Sequence, residues 1–171
     1  MKFYLYEVEA SGSYGDNTVY VGDPKSHPPV ISHLHYEFSL WPEEDLQAAV
    51  FHFIGTERLR TALEALRPPV TGIEFAEVEI SGDEDEFERM ERQGRPDSAL
   101  GKWYWFKITG RPGVDDFGCL RWAKLVISER VKELLIERKM VTSVSYSFSE
   151  YEGEMEGAAV PQKGPPTTSE S

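Results

Sequence analysis

The stretch FIGTERLRTALEALRPPVTGIEFAEVEI, residues 53–80, decides how this chain is read, because LVISERVKELLIERKMVTSVSYSFSEY, residues 125–151, repeats its pattern. Thr56-Glu57-Arg58-Leu59-Arg60 matches Ser128-Glu129-Arg130-Val131-Lys132. Val70-Thr71-Gly72 then matches Val141-Thr142-Ser143 one position out of step, so a single deletion separates the copies. A repeat of this length marks one supersecondary unit used twice.

Each copy opens on a short apolar run (Phe51, Phe53, Ile54; Leu125, Val126, Ile127) that reads as a buried strand. Thr56 and Ser128 follow as N-caps, whose hydroxyls accept an amide left unpaired in the first helical turn. Glu57 and Glu129 stand where the helix dipole favours a carboxylate. Leu59, Ala62, Leu63 and Leu66 form one apolar stripe at helical spacing. Val131, Leu134 and Leu135 repeat it, with Arg138 in place of the last apolar residue. Helices are therefore expected over 57–66 and 129–138, the first stopped by Pro68-Pro69. Closing strands are expected over 73–80 and 143–151, the latter alternating Val144, Tyr146 and Phe148 with serines as on a sheet with one wet face.

Outside the copies, residues 1–8 read as a strand with large side chains on both faces, and 18–21 as its hairpin partner. Pro42 followed by Glu43, Glu44 and Asp45 has the chemistry of a helix start, giving a short helix to about Ala49. Residues 83–92 suit a charged surface helix. KWYWFKIT, residues 102–109, predicts a central strand with Trp103 and Trp105 on one face and Tyr104 and Phe106 on the other. The fold expected is α+β. A mixed or antiparallel sheet carries the two strand-helix-strand units, related by an approximate two-fold axis, with both helices on one face. One domain spans 1–152, and the Gly-, Pro- and Ser-rich residues 153–171 read as a disordered tail.

Acidic residues outnumber basic ones 30 to 18, a net charge of −12. That balance disfavours nucleic acid, whose binding rests on Lys and Arg neutralising phosphates. It favours a basic protein partner drawn in by the opposite field. No apolar run reaches the length of a membrane span. The N-terminus lacks the pattern of a signal peptide, and the single cysteine, Cys119, suits a reducing compartment. The expected location is cytoplasmic.

The residues suggest no reaction. His33 and His35 alternate on a possible strand, but no third ligand at suitable spacing completes a zinc site. Asp115-Asp116 sits in a glycine-flanked turn, where Asp often bonds its own backbone. Cys119, beside Phe117, Leu120 and Trp122, reads as a small buried hydrophobe. Phosphate-binding, dinucleotide and nucleophile-elbow motifs are missing from the sequence. No catalytic residue, metal or cofactor is therefore expected. Partner contacts are assigned to the insert 81–101 and the turn 110–118, through Asp83, Glu84, Asp85, Glu86, Glu88, Asp115 and Asp116, because loops on a scaffold carry recognition. The competing reading is a small enzyme or small-molecule-binding domain with a pocket built from Trp103, Trp105 and Trp122. An adaptor of a larger bacterial assembly is a third.

The repeated [ST]-E-R-[LV]-[RK] helix start, W-P-E-E-D-L before the first copy and V-T-G-I-E-F-A-E-V-E-I after its helix together resemble a poorly characterised bacterial family. That family is grouped with the immunity proteins of polymorphic toxin systems. The resemblance covers about residues 40–151 and rests on helix caps and core positions. It implies a non-enzymatic cytosolic protein that neutralises a cognate toxin, and it carries over no binding residue.

Overall fold

Both expected N-caps form. In the computed structural model, which describes residues 1–23, 25–26, 29–82, 84–94, 100–121 and 124–153, Thr56 Oγ1 accepts from the Leu59 amide at 3.3 Å and Ser128 Oγ from the Val131 amide at 3.4 Å. The chain begins with β1 (Phe3–Tyr6), β2 (Gly12–Tyr14), β3 (Val19–Tyr20), β4 (Ile31–His33), β5 (His35–Phe38), β6 (Leu46–Ala49) and β7 (His52–Thr56). Then come α1 (Glu57–Glu64), β8 (Ile73–Glu77), β9 (Glu79–Gly82), α2 (Glu84–Arg92) and β10 (Trp103–Ile108). It continues through β11 (Phe117–Cys119), β12 (Leu125–Ser128), α3 (Glu129–Glu137), the single turn α4 (Val144–Ser147) and β13 (Phe148–Tyr151).

The fold is mixed α and β, with mostly antiparallel pairing, but it contains several sheets where one was expected. Two have four strands, in the orders β11-β12-β1-β13 and β6-β7-β10-β8. A three-stranded sheet, β2-β5-β9, contains the parallel pair β5–β9, and β3 pairs with β4. In the four-stranded sheets β1 and β10 occupy matching places. Phe3 lies opposite the cap Ser128, and Trp103 opposite the cap Thr56. Lys2 O accepts from the Glu129 amide at 2.9 Å, and Lys102 O from the Glu57 amide at 3.0 Å. So β10 is an interior strand, as its sequence predicts.

Four expectations need correction. The first strand pairs with β12 and β13, not with residues 18–21, whose short strand joins β4 instead. The acidic start at Pro42 leads into strand β6, not a helix. A Glu9 carboxylate oxygen accepts from the Glu43 and Glu44 amides at 3.0 and 2.8 Å, and β6 then hairpins onto β7. The strand expected over 73–80 breaks at Val78, so β8 and β9 join different sheets. The strand expected over 143–151 starts only at Phe148, because residues 144–147 form a single helical turn in which the Ser147 amide donates to Ser143 O.

Burial follows the predicted stripes. Leu59, Ala62 and Leu63 of α1 and Val131, Leu134 and Leu135 of α3 enter one core, with Tyr6, Phe53, Phe106, Leu125 and Ile127 from both four-stranded sheets. Burying a leucine of this kind contributes about 2 kcal/mol. A second core gathers Leu34, Tyr36 and Phe38 against Ile54, Trp103 and Trp105. The sheet holding β7 and β10 thus packs against a core on each face. Gly55 lies opposite Tyr104, where an added Cβ would come within 2.3 Å of the Phe106 ring. No helix among the described residues is long and apolar enough to cross a membrane. The tail expected to be disordered lies, beyond Gly153, outside the described residues.

Candidate functional site

The starts of α1 and α3 each carry an Asp–Arg lock. Asp116 Oδ1 accepts from Ser128 Oγ at 2.7 Å and from Arg130 Nε at 2.9 Å, while Oδ2 accepts from Arg130 Nη2 at 2.6 Å and from the Thr71 amide at 2.9 Å. The rest of the Arg130 guanidinium donates to the Pro68 and Pro69 carbonyls, just past the end of α1. Asp45 does the same for α1. It accepts from Thr56 Oγ1 at 2.5 Å and from Arg58 Nε and Nη2, both at 2.8 Å, while Arg58 Nη1 reaches the Arg138 carbonyl at the end of α3. Glu44, buried beside it, accepts from the Thr142 amide and hydroxyl at 2.8 and 2.7 Å and from the Tyr6 hydroxyl at 3.1 Å. Burial and then the Glu44 charge raise the Tyr6 pKa and keep the phenol protonated. Burial pushes the Asp116 carboxyl upward, but the hydrogen bonds from Arg130, Ser128 and the Thr71 amide, with the Arg130 charge, outweigh it and hold the pKa at about 2.

These contacts redistribute the acidic residues singled out from sequence. Asp116 is buried and committed to Arg130, so it is removed as an accessible partner contact. Asp115 is half-buried, its Oδ2 accepting from the Arg111 amide at 2.7 Å, as its turn composition suggests. Glu84, Asp85 and Glu88 are exposed on α2. Glu84 and Asp85 stand at the start of that helix and Arg89 and Arg92 near its end, an arrangement that also complements its dipole. Arg92 pairs with Glu88 at 3.2 Å. Glu86 falls on the same helix; Asp83 lies outside the described residues.

The described histidines, His33, His35 and His52, are likewise engaged. His33 Nε2 meets Glu79 at 2.8 Å, and buried His35 bonds Ser81 through Nε2 and accepts the Asn17 amide at Nδ1. Hydrogen bonds from His33 and Asn17 lower the Glu79 pKa. Among the described residues no cluster of three or more His, Cys, Asp or Glu could hold a metal ion. His52 Nδ1 lies 2.6 Å from the Tyr14 hydroxyl, which itself accepts from the Phe51 amide. Burial, only partly offset by the Pro29 carbonyl, lowers His52 to about 4, so the imidazole is neutral at pH 7.

Two hollows stand beside these networks. The first, about 440 Å³, is lined by His52, Trp105, Lys107, Cys119 and Leu120 among others. The second, about 390 Å³, includes Trp41, Glu43, Arg58, Lys102 and Trp103. The aromatic pocket expected from Trp103, Trp105 and Trp122 is thus divided: the first two line separate hollows, and Trp122 lies outside the described residues. Sequence reading missed the locks, Glu44 and Lys107. Extending the repeat upstream would have shown Asp45 ahead of Thr56-x-Arg58 just as Asp116 stands ahead of Ser128-x-Arg130. No protein-family model matches this chain, and no curated protein matches it.

Proposed function

We propose that the chain is a non-enzymatic, cytoplasmic binding protein that neutralises a basic partner, in the manner of the immunity proteins its sequence resembles. The scaffold in this reading is one unit used twice. Each copy contributes an opening strand (β1 or β10), a hairpin, a helix and a closing strand, and the opening strands are exchanged between the two sheets. Matched cap pairings, lysine carbonyls and Asp–Arg locks support that reading.

The observation that carries the functional reading is where the charge lies. The tightly bonded carboxylates, Glu44, Asp45 and Asp116, are buried and serve the scaffold. Glu84, Asp85 and Glu88 are exposed on α2 in a chain of net charge −12. An acidic face steers a basic partner and makes association fast and salt-dependent. The test is association with a basic toxin domain encoded beside this gene. Reversing Glu84, Asp85 and Glu88 to lysine should slow association about tenfold or more at low salt and flatten its salt dependence. Unchanged association of a well-folded triple variant would leave α2 a solvated face. Failure of every neighbouring basic toxin to bind the parent protein would remove the immunity reading itself.

A further inference from the structure

The hollow at the start of β7 and the end of β10 has a chemistry that the acidic face does not share, and is independent of it. Its volume of about 440 Å³ falls in the range of small-ligand sites. Ile31, Phe53, Trp105, Phe106 and Leu120 give it apolar walls, each of them buried. Its imidazole and thiol are both uncharged at neutral pH. His52 is held by Tyr14 and lies beside the Pro29 carbonyl. The Cys119 thiol, raised by burial to about 11, points at the Leu120 carbonyl.

Among the described residues, one lining side chain is charged. Lys107 follows Trp105 on the same face of β10, and its Nζ lies over the Trp105 ring, 4.5 Å from the centroid. A cation stationed on an aromatic face is held in place without being neutralised. Among the described residues no carboxylate lies within ion-pair distance of Lys107. Glu74, its cross-strand neighbour on β8, is exposed and makes no ion pair with it. The lining therefore pairs an apolar volume with a fixed ammonium. Among the described residues it has neither the guanidinium fork nor the helix N-terminus that recognises phosphate.

We propose that this hollow binds a small apolar monocarboxylate, its hydrocarbon or aromatic body against Trp105, Ile31 and Leu120 and its carboxylate on Lys107. The apolar body supplies most of the affinity, and the ammonium selects the charge at one end. Selection of this kind follows from covering the half-buried Lys107 charge and leaving it unpaired when the wrong ligand enters.

Calorimetric titration of the full chain with three matched probes tests this: 2-naphthoate, 2-naphthalenemethanol and 2-naphthylmethylammonium. Naphthoate should saturate one site and bind about tenfold tighter than the alcohol, equivalent to about 1.4 kcal/mol, with the ammonium probe weakest. Lys107→Met, which keeps the alkyl stem, should bring naphthoate and the alcohol to parity. Naphthoate should also slow alkylation of Cys119 by iodoacetamide in the parent protein, which places the probe in this hollow even if the variant fails to fold. No saturable binding by naphthoate, equal affinity for acid and alcohol in the parent protein, or unprotected Cys119 at saturation would each overturn the proposal.

Discussion

The two helix starts perform one task with different numbers of carboxylates. At α3, Asp116 alone holds the cap Ser128, the guanidinium of Arg130 and the amide of Thr71. At α1 the work is divided. Asp45 takes Thr56 and Arg58, while Glu44 takes Thr142, the counterpart of Thr71 in sequence, together with Tyr6. Solvent differs as well. The Arg130 and Asp116 side chains are 28% and 6% exposed, against 58% and 10% for Arg58 and Asp45. A concentrated, buried lock should fail all at once, whereas a divided and wetter one should fail in parts.

The largest test of that contrast is removal of each acid. Asp116→Ala strands a half-buried guanidinium, a buried hydroxyl and an amide together, and should cost about 3 kcal/mol in urea denaturation. Asp45→Ala leaves Arg58 able to find water and should cost about 1 kcal/mol. Glu44→Ala should cost about 1.5 kcal/mol, through the unpaired Thr142 and Tyr6 groups. Equal losses for Asp45→Ala and Asp116→Ala would end the distinction between a divided and a concentrated lock.

Acid sharpens the comparison at a smaller scale. The Asp116 carboxyl lies at about 2 in the folded chain against an ordinary 3.8. Its folded value is depressed, so its contribution is present above about pH 4 and is lost as pH falls towards 2. His52 is displaced in the same direction, to about 4 from 6.5. There the unfolded chain takes up the proton first, so stability declines as pH falls from 6.5 to 4. Thermal melts of the parent should therefore fall in two stages. His52→Gln should flatten the upper stage, and Asp116→Asn should flatten the lower one from an already reduced baseline. A His52→Gln profile that still falls from 6.5 to 4 as steeply as the parent would assign the upper stage elsewhere.

What could be read in advance follows from the range of the forces. Caps, dipole-matched acids and the stripes Leu59-Ala62-Leu63 and Val131-Leu134-Leu135 are local, and both helices stand where their sequence puts them. Strand partners are not local. Nothing in residues 3–6 announces that they pair with strands near residues 125 and 150. The segment at Pro42 misleads for a similar reason: its acids favour a helix start, but a carboxylate from Glu9 takes the amides that the helix would have left open. Asp116 reads as a loop acid because its bonding partners, Thr71 and Arg130, lie 45 and 14 residues away. Lys107 reads as one more strand residue until the start of β7 and the segment at Pro29 close a hollow around it.

The smallest expected difference between the two halves lies on the outer turn of each helix. Lys132 Nζ sits 3.9 Å from the Tyr4 ring centroid, and the Arg60 guanidinium sits 4.5 Å from that of Tyr104. Tyr4 and Tyr104 are equivalent positions on β1 and β10, each one residue past the strand's cap pairing. Arg60 has a second partner, Glu64, at 3.2 Å. Replacing either cation by methionine keeps the apolar stem over the ring and removes the charge. Lys132→Met and Arg60→Met should each cost about 0.5 kcal/mol, the value of a partly exposed cation on an aromatic face. They should part company in salt. The Arg60 deficit includes an ion pair between surface side chains, which 1 M NaCl screens over about 3 Å, so it should shrink. The Lys132 deficit, resting on the ring at close range, should persist. Urea titrations at low and high salt read the difference, and equal salt dependence would mean that Glu64 adds nothing to the α1 side.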